Sequence, residues 1–245
     1  MPTNLPTPII AVVGSRHSGK TTTVEAMVRG LAAKGYKVAT AKHIHQTGFT
    51  IDTQGRDTWR HAQAGAHTVV AVAANELTTI KKVATTKFSL SEIVKNCDDN
   101  IDVIVVEGFR GLAAQDPAVP KIVTVKSKRE VDEATQVIKP ILAFTTMSPH
   151  AESDKVKTPL VDVTKEPERL IEIIDKCIGP IITKRRETRD STSIDINGNM
   201  LPLNPYVQKV TRNVLFGVIS TLKGTNIKGT ENIQIIITSP NKPTN

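Results

Sequence analysis

The sequence has few aromatic residues and few cysteines. Aromatic side chains make up 3% of the 245 residues, while hydrophobic residues as a whole make up 39%. A core that must be built mainly from Ile, Val, Leu and Ala is typical of a buried parallel sheet flanked by helices. Two cysteines, Cys97 and Cys177, cannot form a framework of several disulfides, so we expect reduced thiols in helices. The composition therefore excludes a small disulfide-stapled scaffold.

Long apolar runs and a secretory leader are also missing. The longest apolar runs, such as residues 9–13 and 103–106, have the length of a strand. A membrane-spanning helix needs roughly 20 apolar residues. The first residues show no basic segment followed by an apolar core, so no signal peptide is predicted. We expect a cytoplasmic protein that does not enter a membrane.

Acidic residues are outnumbered by basic ones. The 32 Lys and Arg residues against 24 Asp and Glu give a formal net charge of +8. This balance suits an anionic partner. No aromatic residues interleave with the basic run at residues 184–186, which disfavours a nucleic-acid surface.

Strand and helix patterns alternate over residues 1–180. This alternation predicts an α/β domain with a doubly wound, mostly parallel sheet and helices on both faces. The predicted strands cover residues 9–13, 36–41, 68–73, 102–106, 122–125 and 141–144. The predicted helices cover residues 21–34, 57–66, 89–97 and 166–178, the last of them ending at Gly179-Pro180.

The pattern changes after residue 180. Residues 181–192 are polar and basic and are interpreted as a linker, residues 193–240 as a small ββαβ accessory module, and residues 241–245 as a tail. Asn197-Gly198 predicts a hairpin turn, Asn204-Pro205 the start of a helix, and residues 233–237 a last strand. The apolar stripe from Val207 to Leu222 predicts a helix face that contacts a partner or a second copy.

A phosphate-binding loop (P-loop) is predicted at residues 14–21. The segment Gly-Ser-Arg-His-Ser-Gly-Lys-Thr fits G-x-x-x-x-G-K-[ST] and stands between a predicted strand and a predicted helix. Its backbone N–H groups and the helix N-terminus would hold phosphates, and Lys20 would reach the β- and γ-phosphates. The candidate nucleotide-binding residues are Gly14, Ser15, Arg16, His17, Ser18, Gly19, Lys20, Thr21 and Thr22.

A carboxylate is expected near this loop. Glu107 ends a predicted strand and is the candidate catalytic residue, because it could hold Mg²⁺ through water or orient an attacking water. The candidate Mg²⁺ ligands are Thr21, Glu107, Asp57 and Asp52.

Cationic and imidazole side chains follow the second predicted strand. The candidate contacts to substrate or anion are Lys42, His43, His45, Arg56 and Arg110. Two alternatives stay open for this segment: His43 and His45 alternate along one strand face and could bind a transition metal, or the segment could be a solvated loop.

These motifs, in this order, resemble the family of molybdopterin-guanine dinucleotide biosynthesis protein B (MobB). The resemblance rests on the P-loop, on Lys-His-Ile-His at residues 42–45, on Gly-Arg-Asp-Thr at residues 55–58, on Ala-Gly-Ala at residues 64–66, and on Val-Glu-Gly-Phe at residues 106–109. It covers about residues 8–178. Arg56 and Thr58 replace the family's Lys and Ser and keep the charge and the hydroxyl. The C-terminal part lies outside the resemblance.

The resemblance implies a function. Members of this family have a P-loop α/β fold, are usually dimeric, bind GTP with Mg²⁺ and hydrolyse it slowly, and assist the guanylyltransferase MobA, which joins GMP to molybdopterin. The implied partners are therefore a MobA-like guanylyltransferase, molybdopterin and a second copy of the chain, and the protein would be a weak GTPase acting as an adaptor.

Base specificity and reaction class stay open at the level of sequence. No Asn-Lys-x-Asp element for reading guanine precedes the terminal tail, so GTP is implied by the family alone. The alternatives are an ATP-dependent small-molecule kinase or ligase and a metal-delivery GTPase, although the latter lacks a cluster of Cys and His residues.

Overall fold

The computed structural model describes residues 7–85, 88–98, 100–148, 157–189, 192, 194–196 and 199–222. The strands are β1 Ile9–Gly14, β2 Val38–Lys42, β3 Thr68–Val72, β4 Leu77–Lys81, β5 Val103–Glu107, β6 Lys121–Thr124, β7 Ile141–Thr146, β8 Leu160–Asp162, β9 Ile194–Ile196 and β10 Asn199–Leu201. The helices are α1 Lys20–Ala33, α2 Asp57–Gln63, α3 Leu90–Val94, α4 Arg110–Ala113, α5 Lys128–Val137, α6 Pro167–Arg189 and α7 Pro205–Ser220.

The main sheet is parallel throughout. Its strands lie in the order β2-β5-β1-β6-β7-β8, so β5 lies between two strands that precede it in the chain. Because all these strands run in one direction, their carboxyl ends meet at one edge. Gly14, Lys42, Glu107 and Thr124 are the last residues of β1, β2, β5 and β6, and they lie at that edge.

Both faces of the sheet are covered by helices. One apolar cluster joins Ile10 and Val105 to α1 and α6, and the other joins Ala11 and Ile104 to α4 and α5. Alternate residues of the same strands serve opposite faces, as the strand pleat requires. The predicted fold, a doubly wound and mostly parallel sheet with helices on both faces, is confirmed.

The strand predicted at residues 68–73 is not part of the main sheet. Residues 68–73 were expected in the parallel sheet, but β3 pairs antiparallel with β4, and the two form a separate hairpin. Strand β4 was not predicted, and its residues are mostly exposed. A strand without a buried face carries only a weak periodic signal.

The predicted end of a helix at Gly179-Pro180 is wrong. α6 continues through Pro180 to Arg189, so residues 181–189 of the predicted linker are helical. An interior proline costs a helix about 3 kcal/mol. Ile178 and Ile182, one on each side of the proline, are both 1% exposed in the same apolar cluster. Burial of the apolar stripe thus outweighs the local helix-breaking signal.

The chain divides into two compact units, one of Leu5–Lys184 and one that contains Arg185–Asn245. In the smaller unit, β9 and β10 form an antiparallel pair, and α7 begins where Asn204 Oδ1 accepts a hydrogen bond of 2.9 Å from Val207 N. The predicted hairpin strands and helix are present. The predicted turn at residues 197–198, the predicted strand at residues 233–237 and the predicted tail lie outside the described residues.

The apolar stripe of α7 is exposed within its own unit. Val214 and Val218 are 58% and 57% exposed. Among the described residues, the helices do not combine the length and the apolar character that crossing a bilayer requires.

Candidate functional site

The loop between β1 and α1, the predicted phosphate cradle, turns sharply. Gly19, at the N-cap of α1, and His17 both have left-handed backbone conformations, with φ values of 90° and 56°. A Cβ atom on Gly14 would lie 2.5 Å from the carbonyl oxygen of Thr124 and 2.7 Å from Ser18 Oγ. Only glycine fits this position. Turns of this kind aim successive N–H groups inward and form an anion-binding concavity.

Hydroxyl groups fix the loop to strand β6. Ser18 Oγ donates to the carbonyl of Ser15 at 2.8 Å and lies 2.5 Å from Thr124 Oγ1. Thr124 Oγ1 also lies 3.2 Å from the carbonyl of Val13. Because Ser18 and Thr124 are buried, these bonds hold the loop in one shape.

Lys20 folds back over the loop. Its ammonium donates to the carbonyl of Ser15 at 2.5 Å and to that of Gly14 at 3.3 Å. Burial lowers the pKa of Lys20 below its ordinary value; Lys42 and Lys126 act in the same direction, and Glu107 opposes them. Several cations therefore surround the loop, which favours an anionic ligand.

Three side chains meet beside the start of α1. Thr21 Oγ1 donates to Glu107 Oε1 at 3.1 Å, and Lys42 Nζ lies 3.1 Å from the same oxygen. Lys42 Nζ is also 3.5 Å from Thr21 Oγ1. The Glu107 side chain is 10% exposed and that of Lys42 is 55% exposed. The structure thus brings together three of the residues that the sequence pattern singled out.

The Thr21 and Glu107 oxygens fit Mg²⁺. Mg²⁺ prefers hard oxygen ligands and is usually bound through one or two carboxylates, waters and the phosphates of a substrate. The hydroxyl and the carboxylate supply two such oxygens next to the predicted phosphate cradle. Within the described ranges, no three His, Cys, Asp or Glu side chains cluster as a metal site, so this pair would need phosphate and water oxygens to complete a shell.

The histidines contact each other beside the strand end. The ring centroids of His43 and His45 are 4.2 Å apart at an interplanar angle of 89°, with His43 Nδ1 3.3 Å from His45 Nε2. His43 also lies 5.3 Å from the ring of Phe109, and its backbone N–H donates to the carbonyl of Glu107. Both histidines are exposed and lie next to the Glu107 strand end.

The segment before α2 makes its polar contacts locally. Asp52 Oδ1 accepts hydrogen bonds from Thr58 Oγ1 at 2.9 Å and Thr53 N at 2.8 Å, while Asp52 Oδ2 is buried without a partner among the described residues. Asp57 lies 3.7 Å from Arg60, and Arg56 is the N-cap residue of α2. These contacts do not join the segment to the P-loop.

Two residues of the β6–α5 segment contact the P-loop and were not predicted. Ser15 Oγ donates to Glu130 Oε1 at 2.9 Å, and Lys126 Nζ donates to the carbonyl of Arg16 at 3.3 Å. Glu130 Oε2 in turn accepts from Lys126 N at 2.7 Å. The sequence signal that could have found Lys126 is its place shortly after the end of a parallel strand, near the sheet edge at which Glu107 also lies.

Arg110 lies on the other side of the loop. A cleft between α4 and α5 has Arg110 on its rim together with the start of the P-loop. Its lining consists of Gly14, Ser15, Arg110, Val123, Thr124, Val125, Glu130, Glu133, Ala134 and Ile138. Arg110 and the start of the predicted phosphate cradle therefore line one cleft.

Comparison with known proteins identifies a family for this chain. The family model of molybdopterin guanine dinucleotide synthesis protein B matches residues 9–147. A putative molybdopterin-guanine dinucleotide biosynthesis adapter protein of Methanocaldococcus jannaschii is 26% identical over 248 residues, covering 93% of this chain and 97% of that protein. The adapter protein of the same pathway from Haemophilus influenzae is 30% identical over 167 residues, covering 66% of this chain and 84% of that protein.

A solved structure of the same family has a similar fold. The crystal structure of a molybdopterin-guanine biosynthesis protein B superposes with a TM-score of 0.53 at 26% identity and covers 70% of this chain and 99% of that one. The M. jannaschii relative matches more of this chain than that structure does. The part beyond the shared fold therefore has a counterpart in at least one relative.

Proposed function

This chain belongs to the molybdopterin guanine dinucleotide synthesis protein B family, and from that premise we propose that it is a GTP-binding adapter in the biosynthesis of molybdopterin guanine dinucleotide. The observation that carries the nucleotide part of the proposal is the contact between the Thr21 hydroxyl and the Glu107 carboxylate at the mouth of the glycine-bounded loop. This contact brings a hydroxyl and an acid of suitable chemistry beside a phosphate cradle.

The P-loop residues hold the phosphates in this proposal. The backbone N–H groups of residues 15–19 and the first turn of α1 surround the β-phosphate, and the Thr22 hydroxyl is available to the α-phosphate. Lys20 exchanges its two carbonyl partners for phosphate oxygens. The present bonds of Lys20 to Ser15 and Gly14 support this role, because they hold the ammonium over the cradle.

The residues around Glu107 serve the metal and the attacking water. Mg²⁺ supplies charge neutralisation between phosphate oxygens when it is bound. Thr21 donates one oxygen ligand, and Glu107 either ligates through water or orients the water that attacks the γ-phosphate. Asp52 and Asp57 are outer candidates, because their present contacts stay within their own segment.

The remaining cations and imidazoles are proposed to contact anionic groups of nucleotide or pterin. Lys42 lies at the Glu107 carboxylate, and His43 and His45 lie beside the same strand end. Arg110 borders the loop from the α4 side, which suits a second anionic group. Arg56 is exposed at the start of α2 and completes this set of candidate contacts.

The adapter acts with partners. We assign it slow hydrolysis, a MobA-like guanylyltransferase and molybdopterin as partners, a homodimeric state and a cytoplasmic location. The names of the relatives support the pathway and the adapter role. The accessory module beyond the shared fold would add contacts in such an assembly.

Calorimetric titration of the full chain with GTP and with ATP, each with and without Mg²⁺, tests the proposal. GTP should bind more tightly than ATP, and Lys20→Ala should remove binding while the circular dichroism spectrum stays unchanged. Lys37→Ala, an exposed lysine before β2, is the matched control and should bind as the parent does. Equal binding by Lys20→Ala would show that the phosphates lie elsewhere, and preference for ATP with rapid phosphoryl transfer to a small acceptor would favour a kinase.

A further inference from the structure

Lys42 occupies an unusual position at the carboxyl edge of the sheet. Its ammonium lies 3.1 Å from Glu107 Oε1 and 3.5 Å from Thr21 Oγ1. These are the two oxygen groups that the proposed function gives to Mg²⁺. An ammonium and a magnesium ion cannot share these two oxygens at contact distance, because both are cations and would repel each other.

The carboxylate needs a cation in this environment. Glu107 as a whole is 8% exposed, and an ionised carboxylate that is largely removed from water is stable only when it is paired and hydrogen-bonded. Lys20 donates to the carbonyls of Gly14 and Ser15. Lys42 is the ion-pair partner of Glu107 here, with Thr21 as its hydrogen-bond donor.

Lys42 is also free to leave. Its side chain is 55% exposed, and a lysine ammonium on a flexible four-carbon stem can be rehydrated at little cost. The residue closes strand β2, so its backbone stays fixed in the ladder to β5 while its side chain moves. The ammonium can thus leave Glu107 for solvent without any movement of the backbone.

We propose that Lys42 is the stand-in cation of the nucleotide site, holding Glu107 and Thr21 when Mg²⁺ is absent and yielding them when Mg²⁺ arrives with the nucleotide. This inference rests on the proposed function, since it assumes that Mg²⁺ and phosphates bind at the loop. It adds that Lys42 sets how strongly nucleotide binding depends on the metal. With Lys42 present, the site keeps a positive charge beside the phosphates even without Mg²⁺.

The test compares metal dependence in two proteins. The dissociation constant of a fluorescent GTP analogue is measured for the parent chain and for Lys42→Met, once with saturating Mg²⁺ and once with EDTA. Lys42→Met should lose about tenfold more affinity for the analogue in EDTA than it loses with saturating Mg²⁺. The ratio of the two constants should therefore rise about tenfold.

Matched variants separate charge from shape. Lys42→Arg keeps the cation and should restore the parent ratio, whereas Lys37→Met removes a lysine before the same strand and should leave the ratio unchanged. Lys42→Gln replaces Lys42→Met if the latter does not fold, as judged by circular dichroism and thermal unfolding.

Two results would overturn the inference. An unchanged ratio would mean that Lys42 does not substitute for the metal, and an equal loss of affinity with and without Mg²⁺ would make it an ordinary phosphate contact. Failure of the parent chain to bind the analogue under any condition would instead refute the proposed function, so the two failures are distinguishable.

Discussion

Lys42 and Glu107 form the last residue pair of the parallel ladder between β2 and β5, and Lys42 Nζ lies 3.1 Å from Glu107 Oε1. Neighbouring residues in a ladder point to the same face of a sheet. The acid of the candidate site is therefore set by strand register and not by a loop. Sites carried on strands are held more rigidly than sites on loops.

Replacing Glu107 by Gln should slow GTP hydrolysis at least about tenfold, because an amide cannot act as a base or as a charged partner of the metal. Mg²⁺ should also increase the nucleotide affinity of Glu107→Gln less than it increases that of the parent. Phosphate release and GTP titrations with and without Mg²⁺ measure the two effects. Glu172→Gln, on the exposed side of α6, is the control and should match the parent. Undiminished hydrolysis by Glu107→Gln would remove Glu107 from the chemistry.

Replacing Gly14 by Ala should destabilise the fold by about 3 kcal/mol, because the new methyl group would overlap the Thr124 carbonyl, which belongs to the sheet. Gly35→Ala is the matched comparison. Gly35 also has a positive φ, 79°, but a Cβ atom there would meet nothing within 4 Å. Gly35→Ala should therefore lower the free energy of unfolding only by the backbone strain of about 1 kcal/mol. Urea denaturation measures both, and equal losses would mean that close approach at Gly14 is unimportant.

The hydrogen bond from Ser15 to Glu130 should couple the P-loop to α5. Ser15→Ala and Glu130→Ala are expected to weaken stability less in combination than the sum of the single changes, with a coupling of about 1 kcal/mol. A double-mutant cycle on the free energy of unfolding measures this coupling. Strict additivity would show that the contact contributes nothing.

Acid should weaken the contact between α6 and the end of α1. The Tyr36 hydroxyl, followed by Lys34, lowers the pKa of Asp175 by hydrogen bonding to its carboxylate. A carboxyl group with a lowered pKa in the folded state adds stability above its unfolded pKa of about 3.9, and this stability is lost as the pH falls through the folded value.

Tyr36→Phe should therefore lower the free energy of unfolding by about 1 kcal/mol at pH 7, and the difference from the parent should shrink below pH 4 as Asp175 becomes protonated. Urea denaturation at a series of pH values measures it. Tyr206→Phe, in a side chain that is 76% exposed, is the control. A difference that is the same at pH 7 and at pH 2.5 would contradict the assignment to Asp175.

Sequence patterns predicted the parts of the site that depend on residues close together in the chain. The P-loop and its strand and helix could be predicted because glycine spacing and apolar runs act over a few residues. From the sequence, Lys42 and Glu107 could be placed only at the same edge of the sheet. Neither strand alone shows that β2 and β5 are neighbours, because the strand order depends on packing over the whole sheet.

The other differences between prediction and structure also arise from contacts between residues that are distant in the chain. Nothing near Pro180 signals that α6 continues, because the reason is the burial of Ile182 against distant residues. Lys126 and Glu130 were missed because their relevance depends on α5 facing the P-loop. Their residue types alone are those of a solvated helix start.

The position of β5 in the sheet affects when the site can form while the chain is being synthesised. β1 and β2 leave the ribosome early, yet they do not pair with each other, and the strand that separates them is made much later. A nascent chain that stops before β5 lacks both the acid and the ladder that aligns Lys42. If the proposed nucleotide site is correct, its assembly depends on long-range closure of the chain, which is slow compared with local folding.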